Sequence, residues 1–460
     1  MADKKKQSKN KKDLNISAVG IVDNIVYSDT DCWAYYKLTN DVFDFLSHQQ
    51  KFALGVQLTN AFGALMTGKD EPLECHLIVT SVPVDIDNWE EKIREMAINN
   101  AKPSPGFDLF VQEQVEHLKE QDFLKKVTYL GINLGKRGAL NFSGLNVLEA
   151  GIKGAKETLS TWLSTAINAP KGEISAKEEQ IFREREDNYY RILKSGNLQA
   201  TRPTSTELLM YQKRQFFPRI PTPPLISDYE NRVGAGDIVK ETTHAIENKY
   251  RWLKFIQMYR NIELEGYRAT LSFAEFPKKT YYPMTFPFMY YPSKLGAPFT
   301  MYARFLLIPT SKMKSQVEKK KKEQKDELEN VTTGQDEYSA AIDGLNPGTM
   351  QAIQDLKEID SIISDDKMPW VEGIYNIIVE ADDEEMLKDF CDTLIQSYDD
   401  LGIKIKHLAG NQKDLLLESL LADEIRDKTF MQTTTLSMIS TAGGNFSSEV
   451  GDDTLLEVKN

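Results

Sequence analysis

The chain contains apolar patterns with the period of strands and others with the spacing of helices. The two kinds do not alternate strictly along the sequence. Ile16–Tyr27 alternates with a period of two and predicts a strand. A helix capped by Asn40 or Asp41 is predicted to run to about Met66. Strands and helices mixed in this way are typical of an α+β fold, ferredoxin-like in outline. The other elements predicted in the first segment are strands at Cys32–Leu38, Leu73–Val82 and Val127–Leu134, helices at Asp87–Asn99 and Asp108–Gln121, and a helical stripe of Phe43, Leu46, Leu54, Leu58 and Phe62.

A second segment of mixed strands and helices starts near Tyr250. Its arrangement of elements weakly resembles that of the first segment. Its predicted strands are Glu263–Phe273, Thr300–Ile308, Trp370–Glu380 and Ile403–His407, and its predicted helices are Ser311–Asn330, Gln335–Ser364, Glu384–Tyr398 and Lys413–Leu421. We therefore predict an α+β fold with two ferredoxin-like mixed α/β units joined by a helical middle region.

These patterns divide the chain into six segments. Six lysines within Met1–Asp13 predict a solubilising arm rather than a signal peptide, which would continue into an apolar core. Four prolines within Phe216–Ile226 fix the backbone and remove N–H donors, which predicts an extended linker. The predicted boundaries are a disordered basic tail at 1–13, an N-terminal α+β domain at 14–140, a helical region at 141–215, a proline-rich linker at 216–249, a second α+β domain at 250–425 and a connector at 426–460.

Charge and cysteine content exclude several classes of protein. The net charge of −13 argues against a surface built to bind nucleic acid, because phosphate binding needs clustered lysine and arginine. Cys32, Cys75 and Cys391 are far apart and form no CxxC pair, which excludes a zinc ribbon or a disulfide scaffold. We predict three largely buried thiols in a cytosolic protein. No apolar run reaches the roughly 20 residues that span a bilayer.

One segment has the spacing of a phosphate-binding loop, G-x-x-x-x-G-K, at Gly63–Asp70. The last position should be serine or threonine, whose hydroxyl binds magnesium, whereas the Asp70 carboxylate would repel phosphate. A phosphate loop also leaves a strand and opens a helix, while here the predicted helix precedes the loop and a strand follows. We therefore predict no working nucleotide site and interpret Gly68 as a helix stop.

Other chemical motifs are weak. The five histidines are scattered singly, and His76 follows Cys75 on a predicted strand, where neighbours point to opposite faces and cannot easily share a metal. The acidic run Asp382–Glu385 is interpreted as a helix start, since acidic residues complement the helix dipole there, with a metal site as the alternative. No catalytic, cofactor-binding or metal-binding residue is predicted. The alternative function is that of an enzyme with an unrecognised carboxylate or metal site.

The segment Phe276–Phe299 is rich in proline and aromatic residues and is the candidate partner-binding loop. Aromatic side chains supply large, rigid contact area at small entropy cost; the alternative is that they fill the core between two domains. We expect serine at Phe286, Phe288 and Tyr290 to weaken partner binding with little loss of fold. The candidate residues are Phe276, Tyr281, Tyr282, Phe286, Phe288, Tyr290, Tyr291 and Phe299.

Several stretches, spread over most of the chain, carry a family resemblance. They are Gly20–Tyr27 with Cys32–Leu38, Leu73–Thr80, Thr201–Leu208 with Arg214–Pro218, Leu295–Arg304, and Gly443–Phe446 with Gly451–Thr454. Together they resemble the N-terminal region of the TraC/TrbE/CagE-type conjugation ATPases of type IV secretion, in the form carried by Gram-positive conjugative elements. The last pair is similar to the entry into the motor domain of that family.

The resemblance implies a docking and assembly role. Members of the family continue into a RecA-like domain that uses ATP and magnesium, whereas this chain stops at Asn460, where that domain is expected to begin. We therefore expect a region that contacts type IV secretion membrane subunits, self-associates, lies peripherally at the inner face of the cell membrane, and does not hydrolyse ATP by itself. The sequence leaves open a truncated or frameshifted gene and a stand-alone cytosolic adaptor.

Overall fold

The computed structural model describes residues 17–83, 90, 91, 93–95, 97, 106–120, 124–137, 176–195, 198–216, 243–259, 262–277, 287–292, 299–315, 318, 319 and 368–447. Its strands are β1 (Ala18–Val22), β2 (Ile25–Ser28), β3 (Asp31–Leu38), β4 (Asp41–Val42), β5 (Leu73–Pro83), β6 (Leu124–Lys136), β7 (Thr243–Asn248), β8 (Leu253–Tyr259), β9 (Ile262–Glu275), β10 (Thr300–Ile308), β11 (Trp370–Ala381), β12 (Lys404–His407), β13 (Gln432–Thr435) and β14 (Phe446–Ser447). Its helices are α1 (His48–Ala64), α2 (Phe107–Glu120), α3 (Ala176–Ser195), α4 (Ser205–Arg214), α5 (Glu384–Asp399), α6 (Gln412–Glu418) and α7 (Leu436–Ser440).

One 12-stranded sheet runs through both predicted α+β units, in the order β1-β2-β3-β6-β5-β10-β11-β9-β8-β7. Its described pairs are antiparallel, and β12 and β13 add to β9 and β11. The central pair joins β5 to β10 from Leu73↔Leu307 to Thr80↔Thr300. The structure thus confirms a mixed α+β fold, and the two units are halves of a single sheet.

The two halves repeat one connection pattern. The first half has the order β1-β2-β3-β6-β5, and the second has β7-β8-β9-β11-β10, which is the same order of successive strands. In the second half, α5 is followed by β12, which pairs with β9 beyond the end of β8. In the corresponding place of the first half, α3 is followed by Thr201, whose backbone pairs with Lys37 of β3. The similarity between the two halves that the sequence suggested is therefore present in the order of their strands.

The two faces of the sheet differ in polarity because successive side chains point to opposite sides. Cys75 on β5 and Phe305 on β10 lie in the main hydrophobic core, together with buried residues of α1, α3, α5 and α7. We call this side the apolar face. His76 and Arg304 are their neighbours on the opposite, polar face, which is covered by α4, α6 and the segment 419–427.

Arg304 fastens the segment 419–427 to the polar face. Its side chain is fully buried. Its Nε donates to the Glu418 carbonyl at 2.6 Å, Nη2 donates to the Leu420 carbonyl at 2.6 Å, and Nη1 donates to the Asp423 carbonyl. Buried backbone carbonyls must be paired, and a guanidinium offers enough donors for all three. From the first half, the Tyr35 hydroxyl accepts a hydrogen bond from the Ala422 amide at 2.9 Å.

Two sequence predictions near the N-terminus were wrong in detail. Ile16–Tyr27 is a hairpin of β1 and β2 rather than one strand, because Asp23 adopts a positive φ of 53° in the turn. The helix predicted to start at Asn40 or Asp41 starts at His48, since Ser47 forms the cap and residues 41–42 form β4.

Two further differences lie beyond the first half. The predicted linker 216–249 contains β7, and the predicted connector 426–460 contains β13, α7 and β14. The helix predicted at Gln335–Ser364 and the proline-rich run at 217–226 lie outside the described residues.

Candidate functional site

Helix α1 carries large apolar side chains on both of its sides. A capping box starts it: Ser47 Oγ accepts from the Gln50 amide at 3.3 Å, and Gln50 Oε1 accepts from the Ser47 amide at 2.8 Å. Leu58 and Phe62 point into the core of the apolar face and are 0% and 3% exposed. Phe52 and Val56, one turn apart, are 57% and 45% exposed.

The buried side of α1 holds the helix firmly in place. It packs on α7, and the Thr59 and Ser440 hydroxyls are hydrogen-bonded at 2.7 Å. Just before the helix, the Phe43 ring stacks on Phe446 with centroids 4.3 Å apart and planes 8° apart. The outward side chains of α1 are thus presented by a packed platform.

Phe45, two residues before Ser47, is also exposed, at 69%. Exposed large apolar side chains grouped on one helix are typical of contact sites rather than of ordinary surface. We call the outward side of α1 the α1 surface; it consists of Gln49, Phe52, Ala53, Val56, Gln57 and Asn60, all exposed.

The α1 surface is almost free of charge. Lys51 is the only Lys, Arg, Asp or Glu in His48–Ala64, and its Nζ lies 4.3 Å from the centroid of the Phe43 ring, toward β4. At the chain's charged content of 27%, a helix of 17 residues would carry about four or five charges. Depletion of charge around aromatic residues is the compositional mark of an interface core.

The C-terminal segment supports the N-terminal end of this surface. β14 pairs in parallel with β4, and Asn445 Nδ2 donates to Asp41 Oδ2 at 2.9 Å. Burial raises the pKa of Asp41 to about 6, while the Asn445 bond opposes the rise. Lys126 Nζ adds a bond to the Phe446 carbonyl at 2.7 Å.

The predicted aromatic partner loop lies largely inside the protein. Phe288, Tyr290 and Phe299 are 4%, 0% and 9% exposed, and Phe276 and Tyr291 are partly buried against the same core. The core-filling alternative therefore describes these five residues, because their rings contact the protein's own interior. The Tyr290 hydroxyl, for example, donates to Asp44 at 2.8 Å.

The remaining three candidates, Tyr281, Tyr282 and Phe286, lie outside the described residues, and partner contact stays a prediction for them.

Sequence reasoning missed Phe45, Phe52 and Val56. The available signal was that they are apolar at positions off the predicted helical stripe.

The near-match to a phosphate loop is a turn between α1 and β5. The helix precedes the turn and the strand follows, as predicted, and Gly68 has a φ of +70°. Lys69 donates to the Tyr189 hydroxyl of α3 and lies 3.8 Å from the centre of that ring. Burial lowers the pKa of Lys69 to about 8. This lysine joins α1 to α3 and does not face a phosphate cradle.

The buried polar residues on the polar face are structural. The Tyr35 hydroxyl and His76 Nδ1 are 3.2 Å apart, and His76 is completely buried. Burial, with a smaller effect of Arg304, holds the pKa of His76 well below its usual 6.5, so the imidazole is neutral. Cys75 points to the other face, as predicted, and the three cysteines are buried.

A charged cavity lies between α3 and α4. It has a volume of about 490 Å³ and is lined by Asp23, Arg183, Glu186 and Arg202, among others. Arg202 Nη2 contacts Glu186 at 2.7 Å, and Arg183 contacts Asp23 at 3.0 Å. With Asp187 the lining holds three carboxylates and two arginines, so it has no excess of positive charge with which to hold an anion.

Metal and membrane features are absent from the part of the chain that the structure describes. There, no group of three His, Cys, Asp or Glu side chains could hold a metal ion, and no helix is long and apolar enough to cross a membrane. The acidic run begins α5 as predicted, with Asp383 accepting from the Met386 amide at 2.8 Å.

No protein-family model matches this chain, and no curated protein matches it. Among the described residues, the α1 surface is a patch of exposed apolar side chains with few charges.

Proposed function

We propose that this chain is the docking and assembly region of a conjugative type IV secretion ATPase and does not hydrolyse ATP by itself. The observation that carries the proposal is the α1 surface, an exposed, nearly uncharged apolar patch on a rigid support. Such a patch serves contact with other protein, in keeping with the resemblance of the sequence to the region that precedes the motor of these ATPases.

In this proposal the protein lies peripherally at the inner face of the cell membrane, contacts membrane subunits of the channel and binds other copies of itself. ATP and magnesium belong to the RecA-like domain of the family. The placement of Lys69 against Tyr189 agrees with a non-catalytic role, since the amino group is engaged within the protein.

The fold of each half fits the same proposal. We interpret each half as a variant of a ferredoxin-like unit. In the first half β3 and β5 are parallel, α1 connects them, and β6 is inserted between them. This split β-α-β arrangement is the element that ferredoxin-like folds share.

Conjugative transfer tests the proposal directly. Deletion of the gene from its element should abolish transfer, and the double variant Phe52→Ser with Val56→Ser should reduce it by at least about a hundredfold at unchanged protein level. The matched control is Met386→Ser with Phe390→Ser, two side chains on α5 that are each 37% exposed, and it should transfer normally. Unchanged transfer after the deletion would rule out this function.

Hydrolysis offers a second test. The purified chain should release no phosphate from ATP above a protein-free blank in the presence of magnesium. A rate that Lys69→Ala abolishes would contradict the proposal, because it would make the turn at Gly63–Asp70 a working site.

A further inference from the structure

We propose that the α1 surface binds the α1 surface of a second copy of this chain, in a two-fold symmetric contact. The inference rests on the proposed assembly role and names the partner of that surface. It requires that two copies present the same residues to each other, because a two-fold interface pairs a surface with itself.

Charge selects this face for contact between copies. Each chain carries a net charge of −13, so two copies repel one another across most of their surfaces. The α1 surface removes that obstacle locally, since Lys51 is the only charged residue of the helix and it leans toward Phe43. Two copies can therefore meet there without bringing like charges together.

The polar residues of the α1 surface are self-complementary. Gln49, Gln57 and Asn60 carry amides, and each amide offers both a donor and an acceptor. Across a two-fold axis an amide can pair with its own symmetry mate or with a neighbouring amide. A carboxylate or an ammonium group would meet a like charge in the same position. Apolar Phe52 and Val56 between these amides complete a surface that fits itself.

Other occupants fit less well. A helix that lies on a membrane carries lysine and arginine along its polar side, and the amides of the α1 surface would lose their hydrogen bonds in lipid. A charged partner protein would find almost no opposite charge here to guide its approach.

The contact should be weak and reversible. A helix of 17 residues is about 25 Å long, so two of them crossing bury less than the roughly 1,200 to 2,000 Å² of a stable interface. Such a contact associates appreciably only when copies are concentrated, as they are when other contacts already hold them in one assembly.

Sedimentation velocity of the purified chain tests the proposal from about 10 to about 500 micromolar, the range expected for an interface of this size. The wild-type protein should shift toward a dimer as its concentration rises. Phe52→Glu with Val56→Glu should remain monomeric, since it places acidic groups opposite each other. Met386→Glu with Phe390→Glu on α5 should dimerise like the wild type.

Cysteine cross-linking locates the contact independently. The natural cysteines are buried, so a cysteine introduced at Phe52, Ala53, Val56 or Asn60 becomes the reactive thiol. At least one of these single variants should form a disulfide dimer at least about tenfold faster than Met386→Cys, because a disulfide requires closely approaching Cα atoms. Each substitution is on an exposed side chain, which preserves the fold.

Three results would overturn the inference: a monomer at every concentration, equal cross-linking at Met386, or loss of association in the α5 control. Flotation of the chain with anionic vesicles that the α1 variants abolish would assign the surface to a membrane instead. These measurements use purified protein alone, so a dimer can be found even if transfer shows that the proposed function is wrong.

Discussion

Replacing Arg304 by methionine tests how the segment 419–427 is held on the polar face. Methionine has a similar length and no donor, so it removes three hydrogen bonds to the carbonyls of Glu418, Leu420 and Asp423. All three acceptors belong to the backbone and stay in place after the substitution. A buried ion pair can often be replaced by apolar residues without loss, but here the acceptors cannot be replaced.

The magnitude follows from the carbonyls left without a partner. A buried acceptor without a donor costs about 1 to 3 kcal/mol, and water entering the site recovers part of that loss. The variant also no longer buries a guanidinium, which offsets some of the cost. We expect Arg304→Met to lower the free energy of unfolding by about 3 to 5 kcal/mol, a large fraction of the stability of a typical domain.

Urea unfolding followed by circular dichroism measures this loss, with Arg191→Met as the control. Arg191 lies on the exposed side of α3 and contacts Asn188 at 2.7 Å, so its replacement should change the stability by less than about 0.5 kcal/mol. Limited trypsin digestion gives a local measurement, because the released segment exposes Arg426, which is partly buried in the folded protein. A loss below about 1 kcal/mol together with unchanged digestion would refute the reasoning, since each unpaired carbonyl alone should cost that much.

Three further predictions concern stability. Burial raises the pKa of Glu418 from 4.5 to about 7. The contribution of this group to stability is therefore fully present below the unfolded pKa, and it falls by about 3 kcal/mol as the pH rises through 7. Glu418→Gln should remove this pH dependence in urea titrations between pH 4.5 and 8. An alanine Cβ at Gly373 would lie 2.5 Å from the Phe305 Cβ, so Gly373→Ala should lower the free energy of unfolding by at least about 2 kcal/mol. In the control Gly20→Ala, the new Cβ meets nothing within 4 Å, and the midpoint of urea unfolding should stay near that of the wild type. Phe288→Ser with Tyr290→Ser should unfold the protein at room temperature, because each buried ring contributes about 3 to 5 kcal/mol; a soluble variant with the wild-type melting curve would return these residues to a partner-binding role.

The positions of many elements were predictable because their apolar periods are unambiguous. β10 was predicted at its observed bounds, and α5 and β11 were each placed within a residue or so. The turn at Asp23 was missed because its flanking strands continue the same alternation. The start of α1 was misplaced because Asn40 and Asp41 are good capping residues, although Ser47 forms the actual capping box.

Long-range pairing could not be predicted in the same way. Nothing local in Leu73–Pro83 indicates that it pairs with Thr300–Ile308, because the pairing depends on the whole layout of both halves. The burial of five candidate partner-binding residues could not be predicted for a related reason. The aromatic residues near Phe288 have the composition of a binding loop, and only the position of α5 and α7 places them inside the core.

The β5–β10 pair has a consequence for how the chain folds. Thr80 and Thr300 form a hydroxyl contact at 2.8 Å although 220 positions separate them along the chain. Closing so long a loop is slow, and its entropic cost is repaid only after both partners have formed. The five strands that the first half adds to the large sheet lie within residues 18–136, so on the ribosome these strands can pair with one another early and leave the edge of β5 unpaired. Until β10 is synthesised, that edge is an open template for other strands, and this interval is when the nascent chain is most exposed to aggregation.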